Sequence, residues 1–169
     1  MKVWRTAPDS GPAARDLALK TGLPLAAARI LVARGWTDPD EIERFFRPRL
    51  SDFEDPFLLP DMEVATRRIL RAIGDREPIA VFGDYDVDGI TATALLTGTL
   101  RALGATVFPF LPHREEDGYG LSPSTLDRCL DIHHPTLLIT VDCGTGSVAA
   151  VCRARERGVD VIVTDHHEP

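Results

Sequence analysis

The fold is decided by residues 79–91, which read IAVFGDYDVDGIT. A short apolar run, predicted as a strand over Ile79–Phe82, passes directly into an acidic loop, and we expect a helix from about Thr91 to Leu103. The same order recurs downstream, with strands predicted over three further ranges: Thr106–Leu111, Leu137–Val141 and Val159–Val163. Short strands that alternate with helices predict an α/β fold, in which helices cover both faces of a parallel sheet.

Residues 1–76 are predicted to form a helical leader that packs on this core, which occupies residues 77–169. Helices are expected over four ranges: Pro12–Lys20, Pro24–Arg34, Asp38–Phe46 and Asp61–Ile73. Thr37 is placed to cap the third of these helices and Asp61 to cap the fourth. An apolar loop with three prolines separates the third helix from the fourth.

Composition sets limits on the class of protein. Hydrophobic residues make up 44% of the 169 residues and charged residues 27%, which is typical of a globular protein. The absence of a long apolar run, of a signal-like start and of paired cysteine motifs predicts a cytoplasmic protein without a membrane partner. The net charge of −7 argues against a protein that coats DNA through basic residues, but it agrees with carboxylates that bind divalent cations.

Acidic and imidazole side chains follow three of the four predicted strands. The first strand runs into Asp84, Asp86 and Asp88, the third ends at Asp142, and the fourth ends in the run 165–167, which reads DHH. Because ligands bind outside the carboxyl ends of parallel strands, we expect all of these side chains to meet at one edge of the sheet.

This set of side chains predicts a divalent metal site. Asp84, Asp86 and Asp88 point to one side if the segment stays extended, and they repel one another unless a cation lies between them. Gly89 is expected to turn the chain sharply into the helix at Thr91. Oxygen ligands suit Mg²⁺ and Mn²⁺, and imidazole shifts the preference toward Mn²⁺.

Other interpretations compete with the metal site when each motif is taken alone. The acidic triplet also fits a solvated turn with a helix cap. Asp142 alone is also typical of a turn or cap residue, and two adjacent histidines are also typical of an exposed surface pair. A calcium-binding EF-hand loop matches at its first half but has Leu95 where its twelfth position requires a glutamate. A thiolate zinc site is disfavoured, because Cys143 points away from Asp142 in an alternating strand.

Three segments together resemble the first three motifs of the DHH phosphoesterases. They are residues 84–91 (DYDVDGIT), 140–144 (TVDCG) and 163–167 (VTDHH). Three others are similar to the bacterial RecJ branch of that family: residues 34–39 (RGWTDP), 55–62 (DPFLLPDM) and 112–121 (PHREEDGYGL). The resemblance extends over essentially the whole chain.

The resemblance implies a Rossmann-like DHH domain that hydrolyses phosphodiester bonds of single-stranded DNA from the five-prime end, with two Mn²⁺ or Mg²⁺ ions, in DNA repair and recombination. It implies metal ligands at five residues: Asp84, Asp86, Asp88, Asp142 and His166. Asp142 would bridge the ions, and Asp84 would be either a ligand or a supporting carboxylate. His167 would face the scissile phosphate and Asp165 would orient the imidazoles, so Asp142, Asp165 and His167 are the expected catalytic residues.

Substrate contacts are expected from the loop that precedes the helix after the second predicted strand. Arg114 could pair with a phosphate, and Tyr119, which lies between two glycines, could stack on a base. A solvated loop charge explains Arg114 equally well, and packing within the loop explains Tyr119 equally well. His167 is the third expected substrate contact. The other expected partners, by resemblance, are a helicase or a single-strand-binding protein, and we expect a monomer.

The sequence also departs from the family. Related phosphoesterases have a histidine four residues before Asp86, where this chain has Phe82, which agrees with the RecJ branch and disfavours a pyrophosphatase. A further metal-binding aspartate, the rest of the DHH domain and a DHHA1 domain are expected beyond residue 169, so we expect this chain alone to be nearly inactive. The alternatives are a phosphoesterase of short oligonucleotides or cyclic dinucleotides, and a non-catalytic scaffold with a DHH fold.

Overall fold

A computed structural model describes residues 3, 11–113 and 120–168. The chain divides into two compact units, Met1–Leu58 and Leu59–Pro169. In the part of the chain that is described, no helix is both long and apolar enough to cross a membrane.

The first unit is helical. Its helices are α1 (Gly11–Thr21), α2 (Leu25–Ala33) and α3 (Pro39–Phe46), followed by two 3₁₀ turns at Leu50–Asp52 and Pro56–Leu58. Four buried residues form its core: Ala14, Leu17, Ala28 and Ile42. The predicted cap at Thr37 is wrong, because the side chain of Asp38 accepts the N–H of Asp40 at 2.9 Å and Pro39 takes the first helical position.

The second unit is an α/β domain, as predicted. Its elements are α4 (Met62–Gly74), β1 (Pro78–Gly83), α5 (Val87–Ala102), β2 (Thr106–Phe110), α6 (Pro123–His133), β3 (Leu137–Val141), α7 (Val148–Glu156) and β4 (Asp160–Thr164). The four strands form a parallel sheet in the order β2-β1-β3-β4. Asp61 precedes α4 but has a left-handed backbone and no capping hydrogen bond.

Helices cover both faces of the sheet. In β1, Ile79 and Val81 face a cluster that includes residues of α4 and α5, whereas Ala80 and Phe82 face a cluster built with α6 and α7. Helix α4 thus belongs to the sheet unit, although it lies within the predicted leader. The packing of the leader on the core stays a prediction.

The strand order places a switch point between β1 and β3. The chain leaves β1 toward β2 on one side and returns to β3 on the other side, so the loops that follow β1 and β3 diverge at their carboxyl ends. This is the position at which open α/β sheets bind their ligands.

Candidate metal centre

The register of the sheet brings the predicted site residues into one row. Gly83 lies beside Val141, and Val141 lies beside Thr164. The residues that follow these three positions are Asp84, Asp142 and Asp165. Residues about 60 and 80 positions apart in sequence therefore meet at the carboxyl edge of the sheet.

The acidic triplet does not stay extended, which was the condition for its three carboxylates to point to one side. Helix α5 begins at Val87 rather than at Thr91, because the carboxylate of Asp86 caps it and accepts the N–H of Gly89 at 3.0 Å. Asp88 therefore lies in the first turn of α5, where a carboxylate is favoured by the helix dipole. Asp86 and Asp88 are exposed, whereas Asp84 is fully buried.

Asp84 lies behind the edge of the sheet. Its Oδ1 accepts the N–H of Tyr85 at 2.6 Å, and its Oδ2 is buried without a hydrogen-bond partner. Burial, followed by the negative charges of Asp84, Asp165 and Asp142, raises the pKa of the Cys143 thiol to about 12. The cysteine is therefore a neutral core residue, and Asp84 is a carboxylate beneath the site.

Asp142 is the most constrained acid of the site. It has a left-handed backbone (φ 61°), its side chain is 6% exposed, and its N–H donates to the carbonyl of Thr164 at 2.9 Å. Both carboxylate oxygens are buried without an aligned hydrogen bond. Burial and then the nearby charge of Asp86 raise the pKa of Asp142, because both disfavour the ionised form.

The two histidines complete a group that can hold a metal. Nε2 of His166 approaches Oδ1 of Asp142 to 2.9 Å. Asp142, His166 and His167 each offer one ligand atom, and these atoms lie within 4.8 Å of one another. Asp86 lies near this group at the end of the first strand, since its charge acts on the carboxyl group of Asp142.

Asp165 orients His167. Its Oδ1 lies 2.7 Å from Nδ1 of His167 and also accepts the backbone N–H of His166, while its Oδ2 accepts the N–H of Thr145 at 3.0 Å. Burial alone would raise the pKa of Asp165, but the hydrogen bonds from Thr145 and His167 outweigh it and hold that pKa below its usual range. The same contact with Asp165 raises the pKa of His167.

A cleft beside the site was missed by sequence reasoning. One wall is a face of α5, with Asp88, Thr91, Ala92 and Leu95, and the opposite wall contains four residues: Asp142, Thr164, Asp165 and His166. The spacing of residues 88, 91, 92 and 95 is that of one helical face. It would have indicated this wall if α5 had been predicted to begin at Val87.

These residues fit a divalent cation. The buried oxygens of Asp142 form no aligned hydrogen bond, and among the residues described no lysine or arginine forms an ion pair with the five acids of the edge: Asp84, Asp86, Asp88, Asp142 and Asp165. Carboxylate and imidazole donors together suit Mn²⁺ and Mg²⁺. Arg114 and Tyr119, the predicted substrate contacts, lie outside the described residues.

Several curated proteins are similar to this chain in sequence. The single-stranded-DNA-specific exonuclease RecJ of Bacillus subtilis is 40% identical over 146 residues, which are 86% of this chain and 18% of the relative. RecJ of Thermus thermophilus is 41% identical over 153 residues (86% and 22%), and RecJ of Escherichia coli is 39% identical over 152 residues (89% and 26%). The chain matches the N-terminal portion of these proteins and spans between 18% and 26% of their length.

Solved structures extend the similarity to metal-bound proteins. An exonuclease RecJ bound to manganese is 45% identical with a TM-score of 0.61, over 66% of this chain and 29% of that one. RecJ of Thermus thermophilus in complex with Mn²⁺ is 31% identical with a TM-score of 0.70, over 97% of this chain and 22% of that one. The family model described as "DHH family, N-terminal domain" matches residues 78–169, more than half of the chain. The chain therefore belongs to the DHH family.

Proposed function

We propose that this chain is the metal-binding part of an exonuclease that hydrolyses phosphodiester bonds of single-stranded DNA in the five-prime to three-prime direction, by two-metal catalysis, in DNA repair and recombination. The relatives that it matches are named as single-stranded-DNA-specific exonucleases, and related structures hold Mn²⁺ or Mg²⁺. A helicase or a single-strand-binding protein is the corresponding partner in repair. Three free cysteines are typical of a reducing cytoplasm, which is the compartment we propose, and we propose a monomer from the resemblance alone.

The observation that carries the proposal is the buried carboxylate of Asp142, whose two oxygens form no aligned hydrogen bond. A buried anion without a hydrogen-bond donor is unfavourable unless a cation accompanies it. Neither oxygen of Asp142 forms an aligned hydrogen bond, Nε2 of His166 lies 2.9 Å from Oδ1, and Asp86 adds a second negative charge beside it. Its two oxygens can serve two ions, which supports a bridging role.

The other site residues take roles around that carboxylate. Asp86, Asp88, Asp142 and His166 would hold Mn²⁺ or Mg²⁺, with Asp84 supporting them from below. Divalent cations supply Lewis acidity and charge neutralisation for the hydrolysis of a phosphodiester.

The histidine next to the ligands binds the substrate. His167 is held by Asp165, and the raised pKa of its imidazole favours the protonated form beside a phosphate. In that position His167 stabilises negative charge on the non-bridging oxygens and can hold a proton for the leaving oxygen. From the sequence, Arg114 would add a phosphate contact and Tyr119 a base stack.

The first test is a calorimetric titration with Mn²⁺. We expect Asp142→Ala to weaken Mn²⁺ binding by at least about 100-fold, since loss of a charged ligand removes several kcal/mol. Asp127→Ala is the matched control, because that acid pairs with Arg153 and Arg157 away from the edge. Equal affinity in Asp142→Ala and in the wild type would refute the metal centre.

The second test concerns the substrate and uses the full-length product of the gene with Mn²⁺. We expect single strands to be digested and blunt duplex to be spared, with a five-prime label released before a three-prime label. Release of the three-prime label first contradicts the polarity. Hydrolysis of dinucleotides alone would favour the short-oligonucleotide alternative, and Mn²⁺ binding without any hydrolysis would favour the scaffold.

A further inference from the structure

Glycine at position 89 is not a turn residue. It is the third residue of α5 and is buried in the first turn of that helix. Glycine is a poor helix former, so alanine would be the better residue at this position unless packing forbids it. The reason for glycine must therefore lie in what the helix touches.

The missing side chain allows α5 to lie directly on the backbone of Asp84. A Cβ atom at position 89 would lie 2.5 Å from the nitrogen, 2.5 Å from the oxygen and 2.7 Å from the carbonyl carbon of Asp84. All three are backbone atoms, so no side-chain rotation can relieve the overlap. Gly83 faces the same contact from the strand side, where a Cβ would lie 2.8 Å from the carbonyl oxygen of Gly89 and would overlap the hydroxyl of Thr93.

Gly89 also binds the next acid of the site. Its N–H donates to Oδ1 of Asp86 at 3.0 Å, and the carboxyl groups of Asp86 and Asp142 are close enough to interact electrostatically. One residue without a side chain thus touches Asp84 through its α-carbon and Asp86 through its nitrogen. The distance from the end of β1 to the start of α5 sets the place of Asp86 relative to Asp142.

We propose that Gly89 is a positioning residue of the metal centre: its backbone contact with Asp84 holds Asp86 against Asp142. This inference rests on the proposed metal centre. An alanine at position 89 must lift the start of α5 by roughly 1 Å to reach an ordinary contact, and a displacement of this size is enough to make a designed site too loose for its ligand.

Gly89→Ala tests the inference, with Mn²⁺ affinity and thermal unfolding as separate measurements. We expect the dissociation constant for Mn²⁺ to rise at least tenfold. Gly98→Ala is the matched control in the same helix, since a Cβ there meets nothing within 4 Å, and it should leave the affinity within twofold. Leu100→Ala, at a buried core position of α5, lowers the midpoint of thermal unfolding without touching the edge, and it should also leave the affinity within twofold.

The outcomes separate this inference from the metal centre itself. If the Mn²⁺ affinity of Gly89→Ala is within twofold of that of Leu100→Ala while Asp142→Ala loses binding, the positioning role is wrong and the metal centre is right. If Asp142→Ala binds as the wild type does, the site is wrong.

A second variant serves if Gly89→Ala does not fold. Gly83→Ala combined with Thr93→Ala presses on Gly89 from the strand, and Thr93→Ala alone is its control because the Thr93 hydroxyl is buried without a hydrogen bond. A tenfold weaker affinity in the double variant than in Thr93→Ala supports the inference. An affinity within twofold of that control overturns it.

Discussion

The two ends of the parallel sheet both carry carboxylates, but only one end neutralises them. At the amino end, Arg68 of α4 lies 2.6 Å from Glu77, which precedes β1, and 2.6 Å from Asp160 at the start of β4. The hydroxyl of Thr136 adds a hydrogen bond to Glu77 at 2.8 Å. At the carboxyl end, the oxygens of Asp142 face the imidazole of His166 at 2.9 Å and have no lysine or arginine partner in the described ranges.

This difference separates a structural network from a functional one. Arg68 is 14% exposed and has two acids around it, so the amino end ties α4 to the starts of β1 and β4 at little electrostatic cost. The carboxyl end keeps buried charge that destabilises the protein until a cation binds. Proteins retain a destabilising group of buried charges where the binding of a ligand requires it, and the packing of the rest of the fold supplies the stability.

The largest expected effect is thermal stabilisation by metal, which acts at the carboxyl end alone. Mn²⁺ at 100 times its dissociation constant should add about 2.7 kcal/mol, which raises the melting temperature by roughly 5–10 °C for a chain of this size. Asp142→Asn should abolish this increase while it preserves the left-handed backbone, which asparagine tolerates. Differential scanning calorimetry with and without Mn²⁺ measures it, and an equal increase in both proteins would remove the distinction between the two ends.

Disruption of the amino end should produce the next largest effect, on stability and not on binding. Glu77→Gln removes the charge that pairs with Arg68, and we expect the free energy of unfolding to fall by about 1–3 kcal/mol. Urea unfolding checks this, and Mn²⁺ affinity should stay unchanged. The control is Glu63→Gln, whose pair with Arg67 is exposed and should contribute less than about 0.5 kcal/mol. A Glu77→Gln variant as stable as that control would refute the structural role.

The two ends should respond oppositely to the removal of charge when metal is absent. Asp142→Asn should stabilise the metal-free protein by about 1 kcal/mol, because burial and the neighbouring charge of Asp86 outweigh the contact with His166 and disfavour the ionised carboxylate. Urea unfolding in the presence of a chelator gives the value. A loss of stability in Asp142→Asn would show that the carboxylate has favourable partners without metal.

The smallest expected effect is a pH dependence of the amino end. The hydrogen bond from Thr136 and then the contact with Arg68 lower the pKa of Glu77. A depressed pKa adds stability above the unfolded value of about 4.3, and that stability is lost as the pH falls through the folded pKa. The difference in unfolding free energy between wild type and Glu77→Gln should therefore be constant above about pH 5 and should shrink in more acidic buffer. A difference that stays constant in acid contradicts the depressed pKa.

Sequence patterns predicted most of the sheet unit. The strand at 137–141 is found at its predicted bounds, and the other strands differ by one residue at one or both ends. Apolar runs bounded by glycine or proline are local signals, which explains this accuracy. The predicted start of α5 lies four residues after the observed start at Val87. The sequence does not show that the side chain of Asp86 accepts the N–H of Gly89, which is the contact that caps the helix.

The sequence by itself determined the order of strands and helices, and with it the edge of the sheet at which Asp84, Asp142 and Asp165 meet. Those features follow from hydrophobic periodicity and from the common direction of parallel strands. Only the tertiary structure decided that Asp84 is buried while Asp86 and Asp88 are exposed, and that Asp165 holds His167 while His166 approaches Asp142. Burial and side-chain contacts depend on residues that are distant in sequence, and a local pattern carries no information about them.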